Sequence, residues 1–354
     1  MTNVKVAIWG FGAMGQGMAR MILSKTGAEI SGICCRNKDR QGKGMFEVLG
    51  IEPAGQPDVP IINDIDKVVA SKGCDIVLLC TDSFTAKAFD KLELLMNKGV
   101  NVITIAEEMA FPAAQQPELA AKIDEIAKKN GVSVLGTGIN PGLVMDLLAV
   151  VLSACMTDVT KVMCKRVNSL SPFGPTVMRE QGVGLSLEAF EQGIKDHTVA
   201  GHVGFAESIA MIAEGLGLGE YEFKQQQEPI MTDVDRKSPY GFAAAGDVAG
   251  VNMTAQAYQN GQVIVDMYHP QQIEPEMVGV HTGDYVELTG TPPVSMAIKP
   301  EINGGLGTIA MGVNCIPQVI NADPGLITML DIPVPRAIMG DMRKLVKDGK
   351  KIVK

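Results

Sequence analysis

The stretch IWGFGAMGQG, Ile8 to Gly17, decides how the chain is read. Gly10, Gly12 and Gly15 fall in the G-x-G-x-x-G spacing, a weak signal by itself in a chain of 39 glycines. The context strengthens it. An apolar run, VKVAIW, precedes the glycines, and Met14, Met18, Met21 and Ile22 follow at helical spacing as one apolar face. Strand, glycine turn and helix in that order make a phosphate cradle. Gly10 permits the tight turn, Gly12 lets a pyrophosphate approach the backbone, and Gly15 lets the helix pack on the strand. The free N–H groups of the helix start then face the phosphates. The expected cofactor-binding set is Gly10, Phe11, Gly12, Ala13, Met14 and Gly15. A tight turn without a ligand shares the spacing, but not the reason for three glycines in this context.

Outward from that turn, strand and helix signals alternate. AEISGICC, DIVLLCT (75–81), VNVITIA and VSVLGTG read as strands, and FTAKAFDKLELLMNKG and PELAAKIDEIAKKNG as helices. Such alternation predicts a parallel sheet with helices on both faces. The pattern changes at Asn140-Pro141-Gly142, read as the N-cap and first turn of a helix, LVMDLLAVVLSAC. TKVMCKRVNSL, DVAGVNMTAQAY, GQVIVDMYH and DYVELTG then read as longer strands, with helix-like stretches around 186–195 and 203–215. GTIAMGVNCIPQVI is helix-like again, and the chain ends in the basic RKLVKDGKK. The fold class is α/β: an N-terminal Rossmann-type doubly wound parallel sheet, with a second α+β domain on a mostly antiparallel sheet. The expected divisions are 1–140 for dinucleotide binding, 141–303 for the second, substrate-binding domain, and 304–354 for a C-terminal helical segment returning to the first.

The 354 residues suffice for about two cores, and 46% of them are hydrophobic. A formal charge of −9 argues against nucleic acid or an anionic membrane as partner. No signal-peptide pattern is visible, and no apolar run reaches the roughly 18 residues of a membrane span. The seven cysteines match no zinc or C-x-x-C spacing, which suggests reduced thiols in a cytoplasmic protein.

The end of the second strand reads CCRNKDRQGK, without the carboxylate that would bind a ribose 2′-hydroxyl. Arg36 is placed to hold a 2′-phosphate, which favours NADP over NAD while leaving both open. Glu107 and Glu108 follow the strand VNVITIA, at the edge where open α/β sheets bind ligands. One can face a substrate as general base while the other caps the next helix. Thr81 and Asp82 stand at another strand end, and Asn140 at a third, as candidates for lining the cofactor pocket. In the second domain Arg166, Asn168 and Arg179 are candidates for gripping a carboxylate, and His202 for reaching a cleft. The four histidines have no metal-site spacing, and G-x-S-x-G is absent.

These residues carry a resemblance. GFGAMG, the strand-end site and GTGINPG resemble the dihydrodipicolinate reductase and homoserine dehydrogenase group. Longer segments, among them NVITIAEEMAFP, KRVNSLSPFGPTVMREQGVG, AGHVGFAESIAMIAEGLGL and PEINGGLGTIAMGVNCIPQVINADPGL, resemble the 2,4-diaminopentanoate dehydrogenases over nearly the whole chain, and related amine dehydrogenases in part. The resemblance implies NAD(P)-dependent oxidative deamination of a small diamino acid in ornithine degradation. It also implies a homodimer, with 141–303 serving dimerisation, and a catalytic glutamate after the fifth strand, Glu107 or Glu108. Setting EMAF beside the homoserine dehydrogenase lysine segment favours Glu108. Two alternatives stand beside it: a dehydrogenase or imine reductase for another substrate, and a dinucleotide-binding redox sensor without catalysis.

Overall fold

The computed structural model describes residues 2–53, 55–71 and 73–347. The amino-terminal part alternates β1 (Val4–Trp9), α1 (Ala13–Leu23), β2 (Ala28–Cys34), α2 (Met45–Leu49), β3 (Ile61–Ile62), α3 (Ile65–Ser71), β4 (Ile76–Leu79), α4 (Thr85–Asn97), β5 (Asn101–Thr104), α5 (Pro117–Asn130) and β6 (Ser133–Gly136). Then come α6 (Leu147–Ser153), β7 (Asp158–Ser169), α7 (Pro175–Glu180), α8 (Leu187–Lys195) and α9 (Phe205–Leu216). Seven strands follow: β8 (Glu222–Met231), β9 (Arg236–Lys237), β10 (Phe242–Ala243), β11 (Val248–Gln259), β12 (Gln262–Gln272), β13 (Gly283–Thr291) and β14 (Val294–Ile298). The described chain closes with α10 (Gly304–Asn314), α11 (Ile316–Asn321) and β15 (Gly325–Ile327). The basic stretch from residue 348 onward lies outside the described residues.

The described residues up to 142 and from 303 onward form one compact unit. Its sheet runs β15-β6-β5-β4-β1-β2-β3, and all its pairings are parallel. Strands β4, β5 and β6 are buried along their whole length, as continuous apolar runs require when helices cover both faces. The order reverses between β1 and β4, the switch point at which such sheets bind ligands. Helix α5 starts at Pro117 and stops where Gly131 turns left-handed at φ 68°, as its flanking residues predict. The late helix α10 packs on α1 through small residues: a Cβ at Gly17 would lie 2.2 Å from Ile309, and one at Gly312 2.7 Å from Met18.

Residues 143–302 form the second unit. Its main sheet runs β14-β13-β7-β12-β11-β8, antiparallel except where β7 meets β12. One face is buried. Val162 and Cys164 of β7, Met253 and Ala255 of β11, and Val286 and Leu288 of β13 alternate with exposed or half-exposed neighbours, and Val265 and Met267 of β12 flank the buried Asp266 of the opposite face. The other face carries its own polar network around Asp266, which accepts from Lys161, Gln256 and Tyr268.

One expected element differs. No helix begins at Pro141. Residues 140–146 run as turns, and α6 starts at Leu147 with the Asp146 carboxylate accepting from the Leu147 N–H at 2.7 Å. The reason is Gly142, held at φ 124°, outside the helical region, with its backbone pressed on Gly138.

The glycine turn yields a stability prediction. A Cβ at Gly15 would lie 2.0 Å from the Gly10 carbonyl oxygen, whereas one at Gly12 meets nothing within 4 Å. Gly15→Ala is expected to lower stability by about 1–3 kcal/mol in urea denaturation. Gly12→Ala is expected to stay within about 1 kcal/mol of the parent.

Candidate active site

Four strand ends of the first unit stand in a row, set by one repeated backbone bond. Gly10 N–H donates to Cys34 O, Cys80 N–H to Trp9 O, Ile105 N–H to Leu79 O and Thr137 N–H to Thr104 O. Each residue just past a strand thus bonds to the last carbonyl of the neighbouring strand. The loops carrying Gly10–Gly15, Thr81, Glu107 and Glu108, and Asn140 therefore leave the sheet from one edge.

The glycine turn fits a dinucleotide. At φ 101°, Gly10 has no room for a side chain, since a Cβ would lie 2.6 Å from Cys80 O and 2.9 Å from Thr81 Cγ2. The same closeness puts Thr81 beside the turn. Gly12 opens on free space, and no side chain caps α1 there, so the first amides of the helix have no internal acceptor. That is the donor set a pyrophosphate requires. Phe11 is buried, and its carbonyl accepts from Gln16 Nε2 at 3.1 Å and from Arg40 Nη1. Asn37 caps the short 3-10 turn Lys38–Arg40 through the Asp39 N–H at 2.8 Å. Arg36 is exposed. The basic loop thus offers Arg36 towards solvent and holds Arg40 on the glycine turn, an arrangement the spacing alone did not reveal.

Glu107 and Glu108 share the 3-10 turn Glu107–Ala110 after β5. They do different work. Glu108 is buried, and its Oε2 accepts from the Thr85 N–H at 2.7 Å, closing the start of α4, whose own N-cap residue supplies no side chain. Its backbone N–H donates to Ser83 O at 3.1 Å. A cap is expected on the helix that follows the glutamates; Glu108 instead closes α4, which precedes it in the chain. Glu107 is partly exposed. The turn is held from behind by β6, where a Cβ at Gly136 would lie 1.9 Å from Met109 O. Asp82 is paired with Lys91 at 2.6 Å and also accepts from Thr81 Oγ1. Asn140 is partly exposed at the fourth strand end, where Ile139 N–H donates to Thr308 Oγ1 of α10 at 3.3 Å.

In the second unit three of the four expected residues come together. Arg166 and Asn168 lie two apart on the buried face of β7. Arg166 pairs with the buried Asp284 of β13, and its Nη2 donates to Ile302 O at 2.6 Å. Asp284 also accepts from the Ile302 N–H at 2.9 Å. Burial pushes the Asp284 carboxyl above its ordinary range, even though the Arg166 charge opposes this. The guanidinium is thus committed to an internal carboxylate rather than open for a substrate's. Arg179 is exposed on α7 and, among the described residues, donates only to Thr176 Oγ1, at 3.4 Å.

His202 joins the cluster through a residue not foreseen, His269 of β12. Their rings meet edge-on at 4.7 Å, and Phe205 lies 5.2 Å from His202. His269 is buried, and its Nε2–H donates to Asn168 Oδ1 at 3.0 Å, which leaves Nδ1 a shielded acceptor with no donor among the described residues. Burial, reinforced by the nearby Arg166 charge, pushes His202 down to about 3. Burial also holds His269 well below the ordinary range, with further contributions from His202 and Arg166. Both rings are therefore neutral near pH 7. The alternation of MYHPQQ, which turns His269 to the face of Met267 and Gln271, was the available signal. Among the described residues, no three His, Cys, Asp or Glu side chains gather as a metal centre, and no helix is long and apolar enough to cross a membrane.

Known proteins match both units. Residues 143–348 match the family described as 2,4-diaminopentanoate dehydrogenase C-terminal domain, and residues 4–135 the dihydrodipicolinate reductase N-terminus. The sequence is 56% identical to the 2,4-diaminopentanoate dehydrogenase of Acetoanaerobium sticklandii, over the full length of both chains. It is 22% identical to an amine dehydrogenase of Streptomyces virginiae, over 95% of this chain and 98% of that one. The structure of an amine dehydrogenase from Mycobacterium smegmatis shares the fold, with a TM-score of 0.84 at 24% identity over 96% of this chain and 98% of the other.

Two measurements test the cluster. Arg166→Met strands Asp284 as an unpaired buried acid and is expected to cost about 3–5 kcal/mol in denaturant unfolding. Arg179→Met should change stability by less than about 0.5 kcal/mol. An imidazole kept neutral in the fold but free to protonate once unfolded makes the unfolded state take up more protons. Stability from His202 and His269 is thus intact above the ordinary pKa of about 6.5 and is lost as the pH falls below it, by at most about 1.4 kcal/mol per unit for each ring. Urea midpoints measured from neutral to acid pH should show this slope, and His202→Gln should flatten it.

Proposed function

The chain belongs to the 2,4-diaminopentanoate dehydrogenase family, and on that premise we propose that it deaminates 2,4-diaminopentanoate oxidatively at C4. The products are 2-amino-4-oxopentanoate, ammonia and NAD(P)H, a step of ornithine degradation. It is an oxidoreductase acting on an amine, with a Rossmann-type dinucleotide-binding domain. The observation that carries the substrate assignment is the 56% identity from end to end with a relative bearing that activity in its name.

Glu107 is the general base in this reading. Glu108 already serves the Thr85 N–H from a buried position, whereas Glu107 is partly exposed at the same strand end. Its carboxylate complements the charge of the C4 ammonium, orients it and accepts a proton from it. Glu107 then releases that proton to solvent, and as water adds at the oxidised C4 the regained carboxylate takes a proton from the water and passes it to the nitrogen, which leaves as ammonia. The bound nicotinamide dinucleotide supplies the hydride acceptor. Gly10, Phe11, Gly12, Ala13, Met14 and Gly15 hold its pyrophosphate, with Thr81 and Asn140 at the neighbouring strand ends. The missing carboxylate after β2 and the presence of Arg36 favour NADP, with NAD also used. For the amino-acid end of the substrate the assigned residues are Asn168, His202 and His269. Arg166 shapes their environment through the ion pair with Asp284. The same reading makes the protein a cytoplasmic homodimer.

The test is NAD(P)H formation, followed by nicotinamide absorbance, from 2,4-diaminopentanoate with either cofactor. Wild type should turn over faster with NADP. Glu107→Gln should lose about 10²–10⁴-fold in rate with cofactor binding intact. Glu108→Gln should melt at lower temperature and keep most of its turnover. Loss of turnover confined to Glu108→Gln would reverse the roles. No turnover in wild type with either cofactor would sink the substrate assignment, and activity on simple ketones with ammonia would replace it by a broad amine dehydrogenase.

A further inference from the structure

The chain has no carboxylate directly after β2 to receive a ribose, but it has one after β4. Asp82 follows Thr81 at the strand end beside the glycine turn, where a Cβ on Gly10 would lie 2.9 Å from Thr81 Cγ2. Lys91 of α4 donates to Asp82 Oδ2 at 2.6 Å, and the two side chains are only 19% and 11% exposed. Among the described residues, only this pair and Arg166–Asp284 are so far withdrawn from solvent on both sides. A shielded pair holds its carboxylate in one orientation, which exposed pairs of long side chains do not. Thr81 Oγ1–H donates to the same Oδ2. That bond takes the one hydroxyl proton of Thr81, so its oxygen is left as an acceptor. Asp82 Oδ1 has no donor among the described residues. Both residues are half-buried, not sealed. The strand end therefore offers two neighbouring side-chain acceptors.

A ribose cis-diol carries two adjacent O–H donors, and a strand-end carboxylate is a group that receives them in dinucleotide sites. Strands β2 and β4 flank β1 on opposite sides. A dinucleotide with its pyrophosphate on α1 and its adenosine ribose towards β2 and Arg36 carries its other ribose towards β4. We propose that Asp82 Oδ1 and Thr81 Oγ1 accept from the hydroxyls of the nicotinamide ribose, and that Lys91 is the positioning residue that aims Asp82 at them. The assignment rests on the cofactor reading above. That ribose is the same in NAD and NADP. The contact therefore adds to the affinity for both and leaves the choice between them to the loop after β2.

Isothermal titration calorimetry with NADP, NAD, ADP-ribose and ADP tests the site. ADP-ribose keeps the second ribose without nicotinamide, and ADP stops at the pyrophosphate. Asp82→Asn should weaken NADP, NAD and ADP-ribose by at least about tenfold each and leave ADP within about twofold of wild type. Thr81→Val, which keeps the shape but not the oxygen, should weaken the same ligands by about threefold or more, again sparing ADP. Lys91→Met should act like Thr81→Val, and Lys91→Arg should restore most of the loss. The preference between NADP and NAD should be unchanged in every variant. Weakening of ADP by the same factor as NADP would mean that the substitutions damage the glycine turn, and overturns the proposal. So does ADP-ribose bound undiminished by Asp82→Asn. An NADP affinity unmoved in Lys91→Met removes that residue's positioning role. A wild type that binds neither NADP nor NAD refutes the cofactor reading and the ribose contact with it. A wild type that binds them keeps that reading, whatever the variants then say of Asp82.

Discussion

The strand-end hydrogen bonds of the parallel sheet are the constraint on which the candidate site depends. Each parallel strand ends one residue short of a donor that reaches the last carbonyl of its neighbour. Repeated across β2, β1, β4, β5 and β6, this bond leaves successive loops no choice of exit. Residues far apart in sequence, Gly12 and Glu107 among them, then share one edge. The glycine positions follow from the same closeness. Gly10 abuts the backbone after β4, and Gly15 abuts Gly10 itself, so a methyl group at either site meets peptide atoms that cannot yield.

The two glutamates illustrate how adjacent, chemically identical side chains acquire separate tasks. On a 3-10 turn, successive side chains diverge by about a third of a turn. Glu108 points inward to the open amides of α4, where the helix dipole favours its charge. Glu107 is left towards the accessible side. The capping carboxylate stiffens the turn that presents the other one. In the second unit the same economy applies to Arg166. Its charge is neutralised by Asp284, yet its field still helps keep both imidazoles unprotonated, which conserves them as neutral hydrogen-bonding groups.

Much of the fold was legible in the sequence because its strands are either wholly apolar or cleanly alternating. DIVLLCT and VNVITIA report burial on both faces, and β7, β11, β12 and β13 alternate over part of their length. The strand β8 was not legible. EFKQQQEPIM is polar because β8 sits at the edge with both sides largely exposed, so no periodicity marks it. The short α2, β3 and α3 lack enough residues to show a period. The helix expected at Pro141 was misplaced because a capping pair, Asn140-Pro141, is outweighed by a glycine held outside helical backbone space. At the site, the residue types were readable and their partners were not. Nothing local to Arg166 announces Asp284, 118 residues away, and nothing local to Glu108 announces Thr85. His269 escaped notice because its partner, Asn168, is 101 residues distant.

The dinucleotide-binding unit is assembled from two separated lengths of chain, and this bears on the order of events at the ribosome. When residue 142 has been made, six of the seven parallel strands exist, but β6 still presents an open backbone edge and α1 lacks the helix that packs on its Gly17 face. Both gaps persist while the whole second unit is synthesised. They close only when α10 and β15 emerge, near the carboxyl end. Translation therefore passes through a long interval in which an apolar, pairing-competent strand is uncovered. A nascent chain stalled in that interval is the species most exposed to association with other copies.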